Sequence, residues 1–326
     1  MDFAEYLRVS RARPIEPDGL WFVTARCHRR LFRLVPRRWL VQLLEYLLAV
    51  ATLRFGVLPV AIYVASNHYH LVLADPDGRL PDFTQWFNSL LARFVNVVQG
   101  ESDAVWSRAG PHCAPLPDAG GVESAIVYSL SNPVKDGLVA HGRDWPGLRT
   151  CPQDWWRRPR VIERPRRFFS DKGALPDRAT LRWHVPRTHG EMSPSEFGHR
   201  IAARLGEVEA AHRARHEAAG RTPAGALAVI SGDYEQRTRS PEPRGPGTGP
   251  SEVIAGDPAT HRAALRRLEG FREAYVGARS QWLGGNRSVV WPCGTWQMYR
   301  RHNVRRHPPP PGPAGPTSAP NRRSAG

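Results

Sequence analysis

The sequence predicts an α+β domain, an antiparallel sheet with helices on one face, followed by a mostly helical C-terminal extension. Three observations carry this. Short runs rich in aromatic and β-branched residues alternate with two long amphipathic segments between residues 20 and 140. Two of those runs, 57–65 and 69–74, are separated only by a polar corner at Ser66 and Asn67, which is hairpin spacing. Beyond Trp145 the strand-like runs give way to Arg-rich stretches and long helical patterns.

In order, residues 1–18 are polar, with Pro14 and Pro17, and read as a flexible arm carrying Arg8, Arg11 and Arg13. Residues 20–27 form a first strand. In 39–54, Leu40, Leu43, Leu44, Leu47, Leu48 and Ala51 recur at helical spacing, and Gly56 closes the helix. The hairpin follows, then a turn at 75–78. Phe83, Trp86, Phe87, Leu90, Leu91, Phe94 and Val98 mark a second helix over 81–98, ending at Gly100, with Asn88, Arg93 and Asn96 on or beside its polar face.

A further strand fits 111–117, and a short helix 122–131, preceded by Gly120 and Gly121. Pro133 should end that helix at Asn132, because a residue before proline is driven out of the α region. The order β, α, β, β, α, β and a terminal helix is that of ferredoxin-like domains.

The rest divides by composition. Residues 19–150 are read as the main domain and 151–236 as a basic, aromatic and helical extension. Arg interleaves with Trp and Phe at 154–169, which suits either phosphate and base contacts or an aromatic segment packed back on the first domain. Residues 193–220 read as a helix with a capping box at Ser193 and Glu196, and His212 and His216 lie on what looks like a solvated basic face. Residues 237–258 read as a linker, 259–302 as a helical segment and 303–326 as a disordered tail.

The 326 residues are 41% hydrophobic, enough for an ordinary core, and 46 Lys and Arg against 30 Asp and Glu leave a net charge of +16. An anionic partner follows, with nucleic acid the first candidate. Cys27, Cys113, Cys151 and Cys293 are too scattered for a zinc ribbon or a dense disulfide frame. The N-terminus carries acids where a signal peptide needs cations, and Gln42, Glu45 and Arg54 interrupt the longest apolar run. A cytoplasmic protein with no membrane association is expected.

Chemistry concentrates in two stretches. His68 and His70 flank Tyr69 on a strand, so both imidazoles project from one face, about 6–7 Å apart at Cα. Two such imidazoles can share a metal ion. At this His content about half of one His-x-His is expected by chance, so the pair says little alone. The second stretch, 127–139, places Tyr128 and Asn132 four apart, on one helical face.

With Asn67-His68-Tyr69-His70-Leu71-Val72-Leu73 and Tyr128-Ser129-Leu130-Ser131-Asn132-Pro133 in this order and spacing, the chain resembles the single-tyrosine HUH transposases, in particular the REP-associated tyrosine transposases and related IS200-like transposases. The resemblance covers residues 15–150. It implies an HUH domain acting on single-stranded or hairpin DNA. His68, His70 and Asn132 would be ligands to Mg2+ or Mn2+, Tyr128 would be the nucleophile, and a 5′-phosphotyrosine would be the intermediate.

Arg26, Arg29, Arg30, Arg93 and Lys135 are the candidate DNA contacts. The chain departs from the family at Tyr69, at Ala65-Ser66, at Asp136 and over 107–117. The alternative is a domesticated nucleic-acid-binding protein of the same fold that does not cut. Monomer and homodimer both remain open.

Overall fold

In the computed structural model, which describes residues 12–166, 168–170, 172–238 and 250–308, the chain opens with strand β1 (Gly19–Arg26). Helix α1 (Arg38–Phe55) follows, then β2 (Leu58–Val64), β3 (His68–Asp75), helix α2 (Leu80–Gln99), β4 (His112–Pro115) and helix α3 (Ala119–Lys135). Both long helices end where the glycines indicate: Gly56 and Gly100 adopt left-handed conformations at φ 70° and 69°, which carry little steric penalty without a Cβ.

The four strands form one antiparallel sheet in the order β2-β3-β1-β4. This is the α+β arrangement predicted, except that the helices do not all share one face: α2 covers the Tyr69 side and α3 the His70 side. Because side chains alternate along β3, Tyr69 and His70 serve opposite faces. Tyr69 is fully buried against Phe87 of α2, with ring centroids 5.8 Å apart, and its hydroxyl donates to Asn88 Oδ1 at 2.7 Å. Asn88 is therefore an internal partner and not part of a solvated face. Helices α1 and α2 pack on each other, and α3 brings Tyr128 to the opposite face, beside Phe22 and His70.

Helix α3 departs from expectation at both ends. Gly120 and Gly121 lie inside its first turn, where the Asp118 side chain accepts from the Gly121 amide at 2.6 Å. Passing backbone demands glycine here: a Cβ on Gly121 would stand 2.3 Å from the Ile254 carbonyl oxygen. At the other end α3 does not stop at Asn132 but continues to Lys135 with Pro133 inside it. Pro133 gives up its own amide bond there, and the amides of Asp136 and Gly137 close the last turn on the carbonyls of Asn132 and Val134 at 2.9 and 3.0 Å.

Residues Pro17–Leu265 form one compact unit. Within it β5 (Arg160–Glu163) and β6 (Arg178–Leu181) form a two-stranded hairpin that the sequence pattern does not announce. Phe168 and Phe169, read as possible base-stacking residues, pack instead on Trp39, Tyr46 and Phe94. Helix α4 (Pro194–Ala218) has the predicted capping box at Ser193 and Glu196 and lies along α3; the short α5 (Ala226–Ile230) follows.

The second unit comprises Met1–Glu16 and Arg266–Gly326. Helix α6 (Pro258–Leu283) leads into it and α7 (Trp296–His302) completes it. Its core is Trp291, fully buried among Ala278, Val289 and Val304. Arg8, Arg11, residues 239–249 of the 237–258 stretch and the tail from residue 309 lie outside the described residues. No helix among the described residues is long and apolar enough to cross a membrane.

Candidate active site

The histidine face is built by register. On β1, Thr24 stands opposite His70 and Arg26 opposite His68; on β2, Tyr63 stands opposite His70. His68 and His70 thus come together, with ring centroids 4.8 Å apart at an interplanar angle of 71°. Phe22 stacks on His70 at 5.1 Å, and Tyr63 lies 6.4 Å from each imidazole.

Each ring is held by a hydrogen bond at Nδ1. His68 Nδ1 meets Asn67 Oδ1 at 2.7 Å, and His70 Nδ1 meets Thr24 Oγ1 at 2.9 Å. The Asn67 amide nitrogen donates to the Arg30 carbonyl at 3.4 Å and to Thr238 Oγ1 at 2.6 Å. Since a carbonyl can only accept, the amide is oriented with its oxygen toward His68, which places the imidazole proton on Nδ1. His68 Nε2 then keeps its lone pair. Such a bond at the far nitrogen is how proteins aim a metal-binding histidine.

Both imidazoles are held neutral. Burial, then the charges of Arg26, Lys135 and Arg30, lowers the His68 pKa to about 4. Burial, then His68, Arg26 and Lys135, pushes His70 well below its ordinary value. Neutral rings are the ones that can donate lone pairs to a cation.

Tyr128 reaches this face from the middle of α3. Its ring meets His70 at 5.5 Å and 66°, and Phe22 at 6.2 Å and 83°. It remains 45% exposed, whereas Tyr63 and Tyr69 are fully buried. The Lys135 ammonium lies 4.7 Å from the centre of the Tyr128 ring. Asn132, one turn beyond Tyr128, is buried, and its amide nitrogen has no partner among the described residues.

Among the described residues, His70 Nε2 and the Tyr63 hydroxyl on this face, and Asn132 Nδ2 on the helix that bears Tyr128, are buried without partners. Buried polar atoms are nearly always paired, so such a group marks a place for something not held by the chain itself. Among the described residues no group of three or more His, Cys, Asp or Glu assembles to hold a metal ion. A cation here would rest on two imidazoles and a neutral amide.

Sequence reasoning missed what fixes α3. Glu123 in its first turns is buried, and its carboxylate meets His189 Nε2 at 3.1 Å, Arg200 Nε at 2.6 Å and Arg204 Nη1. At the other end His216 Nε2 lies 3.0 Å from the carbonyls of Val134 and of Lys135. His216 is therefore engaged with the helix C-terminus and is not simply part of a solvated face. Between these, Arg149 donates to the Leu130 carbonyl at 2.9 Å and pairs with the buried Glu209 at 3.1 Å. Thr24 was also missed; only the register of the assembled strands identifies it.

The candidate DNA-contact residues fall in different places. Arg26 and Lys135 are close enough to depress both histidines, and Arg30 to depress His68. Arg29 is exposed in a left-handed conformation at φ 52°. Arg93, on α2, lines a groove of about 550 Å³ with Arg26, Trp106 and Asn96, on the side of the sheet served by Tyr69.

No protein-family model matches the sequence, and no curated protein matches it. Among solved structures, a REP-associated tyrosine transposase bound to a REP hairpin is similar with a TM-score of 0.36 and 19% identity, over 54% of this chain and 99% of that one. The tRNA(His) guanylyltransferase of Saccharomyces cerevisiae is similar with a TM-score of 0.30 and 12% identity, over 42% of this chain and 68% of that one. Likenesses this distant carry no argument about this chain.

Proposed function

We propose that the protein is a transposase-like DNA nickase and strand transferase of the tyrosine HUH kind, acting on single-stranded or hairpin DNA through a 5′-phosphotyrosine. The observation that carries the proposal is the meeting of an accessible phenol, Tyr128, with a pair of neutral, oriented imidazoles. Tyr63 and Tyr69 are poor rivals: both are sealed in the sheet, and burial raises the pKa of each.

His68, His70 and Asn132 would hold a divalent cation, Mg2+ or Mn2+. The open Nε2 atoms and the buried amide fit that role; the amide would turn its oxygen inward. When bound, the cation polarises the scissile phosphate and offsets the charge that repels nucleophiles. Imidazole donors suit Mn2+ better than Mg2+.

Tyr128 Oη, having lost its proton to solvent, attacks phosphorus and forms a P–O bond. The bond to the 3′-oxygen breaks, and that oxygen takes a proton to leave as a free 3′-OH. The phosphodiester energy is kept in the phosphotyrosine, so a second 3′-OH can reverse the step without ATP. Arg26, Arg30 and Lys135 offer cations to the strand flanking the histidines.

The test is a labelled hairpin oligonucleotide incubated with the purified chain and Mn2+. A covalent protein–DNA adduct resistant to denaturant is expected, with Tyr128→Phe giving none while binding the same DNA with unchanged affinity. A chain that binds the hairpin and forms no adduct with either metal is the non-cleaving binding protein instead.

A further inference from the structure

The second unit contains a feature that the cleavage chemistry leaves unused. From Gly284 to Pro308 the sequence has five Arg and two His with no Asp or Glu. The cations are concentrated at the end of α7 and just beyond it, at Arg300, Arg301, Arg305 and Arg306, all exposed.

This segment is fixed in place by the unit's core. Trp291 bridges to Arg306 in a parallel pairing: its amide donates to the Arg305 carbonyl and its carbonyl accepts from the His307 amide, both at 2.9 Å. Val304 is buried beside Trp291, so the residues after it run along the surface on an ordered backbone. Asn303 makes the turn between helix and bridge in a left-handed conformation at φ 48°.

An aromatic lies among the cations. Tyr299 is 40% exposed, and the Arg306 guanidinium sits 3.5 Å from its ring centre. A guanidinium pairs with phosphate through a planar fork, and a partly open ring offers a base a stacking face.

We propose that this surface binds single-stranded DNA, with Arg301, Arg305 and Arg306 on phosphates and Tyr299 stacked on a base. Charge complementarity selects a polyanion, since no carboxylate within the segment neutralises it. The ring selects a single strand, whose bases are free to stack, over a duplex, whose bases are not. The proposal is independent of whether the other unit cuts DNA.

The test uses the full chain carrying Tyr128→Phe, so that binding is read without chemistry. Affinity for an oligothymidylate, for a duplex of equal length and for vesicles containing phosphatidylserine is measured across a range of salt. Replacing Arg301, Arg305 and Arg306 with Gln should flatten the single-strand salt dependence by about 2 in slope, at about 0.7 for each phosphate no longer neutralised. Replacing the same three with Lys should preserve most of the slope.

Tyr299→Ala should weaken the single strand about tenfold, within the range for one base deprived of its stacking partner, and leave the duplex unchanged. A slope unchanged in the Gln variant, or reduced equally in the Lys variant, overturns the proposal. So does a Gln variant that loses the vesicles and keeps the DNA.

Discussion

The ring of Tyr128 meets that of His70 edge to face, with centroids 5.5 Å apart, at the point where α3 crosses the sheet. One residue sits on a strand and the other on a helix that follows two further elements. Their meeting depends on the sheet register and on what holds α3, and single substitutions separate those contributions.

Tyr128→Phe removes one oxygen from a side chain that is 45% exposed. Thermal unfolding should shift by less than the equivalent of about 0.5 kcal/mol, the usual range for surface changes. The covalent adduct should disappear entirely. An adduct surviving in this variant would move the nucleophile elsewhere.

Metal binding should follow the two open imidazole nitrogens. Calorimetric titration with Mn2+ should give one site per chain, lost in His70→Ala and weakened at least tenfold in Asn132→Ala, and Mg2+ should bind more weakly than Mn2+. Thr24→Val, which takes the hydroxyl from His70 Nδ1, should also weaken Mn2+, by about 10-fold, while leaving every proposed ligand in place. Full-strength binding in His70→Ala would remove the proposed metal site.

Glu123 links stability to pH. Burial pushes its carboxyl upward, but Arg200, His189 and Arg204 outweigh burial, and its pKa falls below the ordinary carboxylate value. The unfolded chain therefore binds the proton first as pH falls. The stabilisation is complete above the ordinary Glu range near 4.3 and is lost as pH drops through the lower folded value. Glu123→Gln keeps an oxygen for His189 but removes the charge that Arg200 and Arg204 face; it should cost about 1–3 kcal/mol at neutral pH and should flatten the acid limb of a stability–pH curve. An unaltered acid limb would show that Glu123 is not the group responsible.

Gly121→Ala should be disproportionately harmful for a helix position. The added methyl would meet the Ile254 carbonyl at 2.3 Å, and backbone cannot swing away as a side chain can. A loss of about 1–3 kcal/mol is expected, together with faster proteolysis near residue 254, where the chain would be lifted off α3. Equal melting temperatures and equal cleavage rates would contradict this packing.

Much of the sheet was legible because periodicity and punctuation agree there. The apolar spacing in α1 and α2 and the glycines closing them left little choice, and the alternation around Tyr69 put both imidazoles on one face. The pairing of Tyr128 with Asn132 on one helix also survives, although Pro133 made that helix look shorter than it is. Long-range partners were illegible. Nothing local in 123, 189, 200 and 204 says that one carboxylate and three cations will converge. The Arg-aromatic composition of 164–169 fitted a DNA surface as well as the core packing that Phe168 and Phe169 adopt.

Asn67 is tied to Thr238, and the strand-like bridge between Leu31 and Arg237 runs beside the same turn. During synthesis the turn bearing His68 therefore waits for a stretch made long after it. A nascent chain that has already folded its sheet still lacks the restraint that aims this imidazole. Any chemistry that rests on this imidazole would therefore wait until residue 238 has been made, well after the helix that bears Tyr128.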